Sequence, residues 1–280
     1  MKPASSKQRS EGTAVQQSTP GFPRLTKAPI VEAIIDLRVR LPSEFDIARF
    51  KTLHSQFQTD YPKVEDQKVV EHKFEHAPGK QTSHSVQDHG IQGYLFRSAD
   101  DANVVQFRRN GFTFNRLKPY TSWEQVFPEA TRFWKLYVET CRPIEISRIA
   151  VRYINRLMLP GPHLDYSDYL SAPPALPGSA TSSLTRLHPE MSTGPRFVSG
   201  FVSRVVINDP DAHITAAVVQ ALEPPSEDRY IPVILDIDVF QQNVSNLDAV
   251  AVLNRFGKLR DIKNRVFFGS ITDKTFEMLK

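Results

Sequence analysis

Two histidines four residues apart are the first candidates for chemistry in this sequence. His72, Glu75 and His76 spell the H-x-x-E-H pattern of zinc metallopeptidases, which requires both histidines on one face of a helix so that they can bind the metal. Here every second residue from Val70 to His76 falls on one face, and Ala77-Pro78-Gly79 follows. This pattern is typical of a strand. The sequence therefore predicts strand histidines without a metal, and a metal-dependent hydrolase that uses His72 and His76 is an alternative.

Three arginines at intervals of four residues are a second candidate. They fall on one face of a predicted strand, with about 13 Å between successive members, where guanidinium groups could bind the oxyanions of an extended partner in a bidentate manner. Carboxylates fall on the polar faces of two other predicted strands, so cross-strand ion pairs could instead neutralise this row. The residues predicted to contact a partner are Arg148, Arg152, Arg156, Arg38, Asp36 and Asp236.

Two aromatic residues near the start of a predicted helix add a third candidate. Tyr120 and Trp123 could anchor a partner, or they could pack beneath the helix that follows. No residue is predicted to be catalytic and no cofactor is expected, because glycine-rich phosphate loops, a G-x-S-x-G elbow and cysteine pairs are absent. Cys141 is the only cysteine, and we expect it to be a small core residue.

The positive charge is concentrated at the beginning of the sequence. The 280 residues carry a formal charge of +4, and residues 1–27 alone contain five basic residues and one acidic residue. The remainder is neutral overall and lacks the excess charge that attracts nucleic acid over long distances. Residues 1–27 have no apolar segment of a secretory signal, and no run approaches the ~18 apolar residues of a membrane span. With a lone cysteine, we expect a cytoplasmic protein that does not bind membranes.

Alternation of apolar and polar residues predicts a sheet in each half of the chain. In the first half, a short helix and a longer one through Thr140 accompany strands at 30–41, 68–76, 91–97 and 103–109, with another after Asn110-Gly111. Asn-Gly favours a two-residue turn, which would place Phe107 opposite Phe114. In the second half, the predicted strands span 144–159, 196–207, 213–222 and 230–240, and the predicted helices span 247–266 and 272–279.

The order of these elements predicts an α+β fold, in which helices pack on one face of one or more antiparallel-rich sheets. Both halves have the order strand, helix, several strands, helix, which suggests a structural duplication. Residues 1–24 are poor in apolar side chains and are predicted to be a disordered tail. The two halves, 25–143 and 144–280, are expected to form one compact domain, with a proline-rich surface excursion at 160–196.

Four segments carry a family resemblance in combination. They read L-T-K-A-P-I-V-E-A at 25–33, L-K-P-Y-T-S-W-E at 117–124, A-V-R-Y-I-N-R at 150–156 and I-K-N-R-V-F-F-G-S-I-T at 262–272. Their order and spacing resemble a sporadically distributed family of microbial proteins with no assigned function. The resemblance implies a cytoplasmic, prokaryotic protein without known catalytic residues. A sporadic distribution implies mobile genes, such as toxin–antitoxin or phage-defence cassettes.

These observations favour a binding or scaffolding protein without catalytic activity, whose partner is another protein. Nucleic-acid binding through the arginine row is the first alternative, and the metal-dependent hydrolase is the second. The oligomeric state is left open.

Overall fold

The strands of the computed structural model form one antiparallel sheet. The structure describes residues 21–75, 83–161, 165–173, 200–210, 213–223, 230–244, 248 and 251–280. The strands are β1 (Ile30–Arg40), β2 (Lys63–Glu75), β3 (Ser83–Arg97), β4 (Asn103–Arg108), β5 (Gly111–Leu117), β6 (Glu145–Pro160), β7 (Val202–Asp209), β8 (Ile214–Leu222) and β9 (Tyr230–Gln242). Their order is β2-β3-β4-β5-β1-β6-β9-β8-β7. The predicted α+β class with a large antiparallel sheet is confirmed.

Four helices accompany the sheet in the described part of the chain. They are α1 (Ala48–Thr52), α2 (Trp123–Cys141), α3 (Phe256–Ser270) and α4 (Asp273–Leu279). The helix α2 packs on β4 and β5, whereas α3 packs on β6, β8 and β9. None of the helices in the described ranges is both long enough and apolar enough to cross a membrane.

The central strand β6 has one buried face and one polar face. Tyr153 and Asn155 belong to the buried face, which α3 covers, and each of them is only 2% exposed. Arg152 lies on the opposite face and is exposed. This division follows from the alternation of side chains along a strand. We call the face that carries Arg152 the open face, because no helix of the described residues covers it.

The hairpin between β4 and β5 differs from its predicted register. Phe107 pairs with Phe112 and not with Phe114, because Gly111 belongs to the strand and not to the turn. A Cβ atom at Gly111 would lie 2.3 Å from the backbone oxygen of Leu37 on β1. The glycine is therefore required by the close approach of β1, which is remote in sequence, and the turn uses Arg109 and Asn110.

The first described residues pack against the end of the chain. Residues 1–20 of the predicted tail lie outside the described residues. Residues 21–24 belong to no helix or strand, and the Phe22 ring stacks on the Phe268 ring with 5.6 Å between the ring centroids. The backbone N–H of Lys27 donates a hydrogen bond to the carbonyl oxygen of Leu279. The proline-rich excursion lies largely outside the described residues.

Candidate functional site

A cleft of about 870 Å³ opens between α3, the start of α2 and the buried face of β6. Residues 21–25 and 28–30 line its remaining side. This volume lies within the range of small-molecule sites. We call it the Lys263 cleft, and its lining includes the side chains of Arg24, Tyr120, Trp123, Tyr153, Arg260 and Lys263, together with the carboxylates of Glu124 and Asp261.

Lys263 interrupts the apolar stripe of α3. The buried residues of this helix are Phe256, Leu259, Lys263 and Phe267, at the spacing of three or four residues that places them on one helical face. Lys263 therefore points toward the sheet like its apolar neighbours, and only 7% of its surface is exposed. A buried lysine is rare because removing an ammonium from water is costly.

The Lys263 amine has an aromatic neighbour but no anionic one. Its Nζ lies 3.8 Å from the centroid of the Tyr153 ring, an arrangement that favours the ammonium form. Among the described residues it has neither a salt bridge nor a hydrogen bond. Burial, and secondarily the charge of Arg260, lower the pKa of Lys263 to about 7. Burial and the charge of Arg260 both disfavour the ammonium form of Lys263.

Two tyrosine hydroxyls meet at the wall of the cleft. The hydroxyl of Tyr120 lies 3.2 Å from that of Tyr153. Burial raises the pKa of both groups, so each keeps its proton and can donate a hydrogen bond. Asn155, two residues after Tyr153 on β6, donates through its amide nitrogen to the carbonyl of Leu235. This wall therefore carries neutral hydrogen-bonding groups, whereas the two carboxylates of the cleft lining, Glu124 and Asp261, belong to α2 and α3.

Arg260 connects α3 to the start of α2 at the cleft. Its Nη2 donates a 3.1 Å hydrogen bond to Oε1 of Glu124, and its guanidinium lies 5.5 Å from the centroid of the Trp123 ring. Glu124 is largely exposed, so this ion pair is solvated and weak. Arg260 lies one helical turn before Lys263, and the two cations face the same cleft.

The arginine row predicted from the sequence lies on the open face and is occupied by ion pairs. Arg152 makes two hydrogen bonds to Asp236, at 2.9 and 2.5 Å. Arg156 donates to Glu223 at 2.6 Å, and Arg148 donates to Asp36 at 3.1 Å. The cross-strand pairing of the row follows from the neighbouring positions of β1, β6 and β9.

Asp36 is the centre of this charge network. It accepts hydrogen bonds from three guanidinium groups and from one hydroxyl, and it is only 7% exposed. The donors are Arg38, Arg108, Arg148 and Thr113. The predicted contact residues Arg38 and Asp36 therefore form a structural cluster with Arg148, while Tyr120 and Trp123 line the cleft on the other side of the sheet.

A second groove brings cations without an ion pair in the described residues to one end of the arginine row. Arg24, Lys27 and Lys118 line this groove of about 730 Å³ together with Arg156. Nucleic-acid binding through the row would require the guanidinium groups to exchange their carboxylate partners for phosphates.

Neither the zinc pattern nor an exposed thiol is formed in the described residues. His72 belongs to strand β2, so the helical geometry of the zinc pattern is not formed there, and His76 lies outside the described residues. No cluster of three or more His, Cys, Asp or Glu that could hold a metal occurs in the described ranges. Cys141 is buried at the end of α2, and burial raises the pKa of its thiol to about 12.

Lys263 is not among the site residues predicted from the sequence. A signal was available, because a lysine occupies a position where the helical spacing of Phe256, Leu259 and Phe267 requires an apolar residue. The cleft also brings together residues from all four segments that carry the family resemblance. These are residues 25 and 28–30, residues 120–124, Tyr153 with Asn155, and residues 263, 264, 267 and 268.

Comparison with known proteins finds no matching family model and no similar protein among curated sequences. The family resemblance of the four segments stays a prediction.

Proposed function

We propose that the protein binds a small organic anion in the Lys263 cleft and does not act as a hydrolase. One observation carries this proposal. A lysine amine, buried to more than nine-tenths, lines a cleft of ligand size and has no anionic or hydrogen-bonding partner among the described residues. A bound anion would supply the missing counterion and offset the cost of burying the ammonium.

The charges around Lys263 support an anionic ligand. Arg260 is weakly paired with an exposed glutamate, and Arg24 has no ion pair in the described part of the chain. Both line the cleft with Lys263. The cleft lining also holds two carboxylates, Glu124 and Asp261, so its three cations leave a net charge of +1 when Lys263 is protonated. This excess can neutralise one anionic group, which a guanidinium can bind through two parallel hydrogen bonds.

The remaining walls support a ligand with an apolar or aromatic portion. Trp123 and Phe267 are buried, and Phe268 packs against the core; all three line the cleft. Aromatic surfaces of this kind bind flat apolar groups through offset or edge-to-face contacts. An aromatic carboxylate therefore matches both the charge and the walls of the cleft.

Isothermal titration calorimetry with 3-phenylpropionate as the probe tests this proposal. We expect wild type to bind the probe and Lys263→Met to bind it at least tenfold more weakly, because a charge-assisted hydrogen bond contributes about 1.5–3 kcal/mol. Lys258→Met is the matched control, since Lys258 is exposed on the same helix. Uncharged 3-phenylpropanol controls for the contribution of the ring alone. Equal affinities of wild type and Lys263→Met, or no binding of the anion, would contradict the proposal.

The open face supports a second candidate, which is binding of a protein partner. Half-buried apolar residues alternate there with the ion pairs, as Ile34 lies opposite Arg152 and Ile154 lies opposite Asp236. Protein interfaces have this mixture of arginine and apolar side chains. Substituting Arg152→Glu together with Arg156→Glu should abolish capture of such a partner. A complex that dissociates steeply with salt would instead indicate nucleic acid.

The arrangement of strands supports the proposed duplication of the fold. Each half contributes its first strand to the centre of the sheet, where β1 and β6 pair, and its later strands return in sequence order toward that strand. The buried positions of α2 hold no charged residue, whereas the buried face of α3 holds Lys263. We therefore expect one ligand site per chain and not two.

A further inference from the structure

We infer that the ligand of the Lys263 cleft is an aromatic 2-oxo acid, and that the Lys263 amine captures its keto group as an imine. This inference rests on the proposed function and specifies the chemical class of the ligand. It adds a covalent step that binding of an anion alone does not require.

The surroundings of the amine distinguish Lys263 from the paired lysines of the chain. Lys274, for example, lies on the surface with its Nζ 2.8 Å from Asp168, and that carboxylate keeps it protonated. No acceptor engages Lys263 among the described residues, and Lys263 lines the cleft. The lone pair of the neutral amine is therefore available to an electrophile.

The charge state of the amine suits this reaction. Because burial lowers the pKa of Lys263 to about 7, about half of the amine is neutral near pH 7. The corresponding fraction at the ordinary lysine value of 10.5 is about one in three thousand. Desolvation of a lysine in an apolar pocket is an established means of activating it as a nucleophile.

The covalent step balances without an oxidant, a reductant or a metal. The amine nitrogen adds to the carbonyl carbon and forms a carbinolamine, and the carbonyl oxygen then leaves as water with the two hydrogens of the amine. A carbon–nitrogen double bond remains. The hydrogen-bonded hydroxyls of Tyr120 and Tyr153 lie at the wall of the same cleft and can donate a hydrogen bond to the departing oxygen.

The position of Arg260 accounts for the acid group of the ligand. A 2-oxo acid carries its carboxylate on the carbon next to the keto group. Arg260 lies three residues before Lys263, so the two side chains are neighbours on the helix surface. Only one nitrogen of Arg260, Nη2, is hydrogen-bonded to Glu124, and its other N–H groups can bind a carboxylate. Lys263 and Arg260 can thus engage the two adjacent groups of one ligand.

Reductive trapping tests the inference on the full chain. The protein is incubated at pH 7.4 with phenylpyruvate and sodium cyanoborohydride, which converts an imine into a stable secondary amine, and the modified lysines are located by peptide mass mapping. We expect Lys263 to be modified at least tenfold more than exposed Lys258 on the same helix. Excess 3-phenylpropionate, which has no keto group, should protect Lys263.

The outcomes separate this inference from the proposed function. If 3-phenylpropionate binds but Lys263 is not trapped, the imine is wrong and anion binding stands. If neither compound binds, both proposals fail. Trapping distributed evenly over exposed lysines, without protection, would also overturn the inference. Because the modified residue is located in the wild-type chain, the result does not depend on the folding of a variant.

Discussion

Replacing Lys263 with methionine should stabilise the protein, and the gain should depend on pH. The pKa of Lys263 is about 7 in the folded chain against 10.5 for an ordinary lysine. At 1.36 kcal/mol per pKa unit, this difference corresponds to about 5 kcal/mol. When the lysine is charged in both the folded and the unfolded state, burial of the ammonium destabilises the folded state by this amount. Methionine has a similar length but no charge, so the substitution removes the destabilisation.

The direction in which the free energy of unfolding changes with pH follows from the number of protons bound by each state. Between about pH 7 and 10.5 the unfolded chain binds more protons than the folded chain, so the wild-type free energy of unfolding rises with pH. At pH 6 the buried Lys263 amine destabilises the folded state by nearly the full ~5 kcal/mol, whereas at pH 9 the destabilisation is about 2 kcal/mol. The gain from Lys263→Met should therefore be about 3 kcal/mol larger at pH 6 than at pH 9.

The charged groups around Lys263 do not obscure this effect. Hydrogen bonding to the backbone lowers the pKa of Glu124, and burial raises the pKa of Tyr153 and Tyr120, so these groups move away from the interval between pH 6 and 9. Arg260, Arg24 and Asp261 also line the cleft and are unchanged in both proteins. Subtracting wild type from the variant cancels their contributions.

Urea unfolding of wild type, Lys263→Met and the control Lys258→Met at pH 6, 7, 8 and 9 measures this prediction. The control should show no pH-dependent gain, because Lys258 is exposed. A gain from Lys263→Met that is equal at pH 6 and pH 9 would refute the reasoning. It would mean that the amine is solvated or paired in the folded protein.

Three further substitutions, two of them with a matched control substitution, test the fold. Asp36→Ala should lower the free energy of unfolding by about 3–5 kcal/mol, because it leaves three guanidinium groups without their shared carboxylate. The control Asp236→Ala should lower it by about 1 kcal/mol or less, because the arginine partner of Asp236 is 45% exposed. Equal losses of the two variants in urea unfolding would contradict the central role of Asp36. Gly111→Ala should lower the free energy of unfolding by more than about 2 kcal/mol, because its Cβ clashes with the β1 backbone. The control Gly257→Ala in α3 meets no atom within 4 Å and should be neutral or stabilising by up to about 1 kcal/mol. Thermal unfolding of both variants measures the difference. Thr272→Ala removes the side-chain cap of α4 and should cost about 1 kcal/mol in urea unfolding, so an unchanged midpoint would show that the cap contributes nothing.

Local patterns in the sequence predicted the faces of the strands correctly. Alternation in residues 144–159 placed Arg152 and Tyr153 on opposite faces of β6, as the structure has them. The same alternation raised the alternative that carboxylates neutralise the arginine row. The pairing of Arg152 with Asp236 depends on β6 and β9 being neighbours, and strand order is a property of the whole fold that no local pattern contains.

The errors arose where a distant part of the chain decides the role of a residue. Gly111 was assigned to a turn because Asn-Gly is a strong hairpin signal, but the approach of Leu37 requires the glycine inside the strand. Lys263 was overlooked because a lysine in a helix usually lies on the solvated face. Its burial became evident only when α3 packed over Tyr153.

The most direct test of the account is the titration of the Lys263 amine itself. Two-dimensional NMR of protein labelled with carbon-13 at lysine Cε follows each lysine signal with pH, and the spectrum of Lys263→Met identifies the signal of interest. We predict a midpoint about 7 for Lys263 in the free protein, and a higher midpoint when 3-phenylpropionate is bound, because the anion stabilises the ammonium. A midpoint near 10.5 in the free protein would contradict a buried, unpartnered amine and the ligand site that we derive from it.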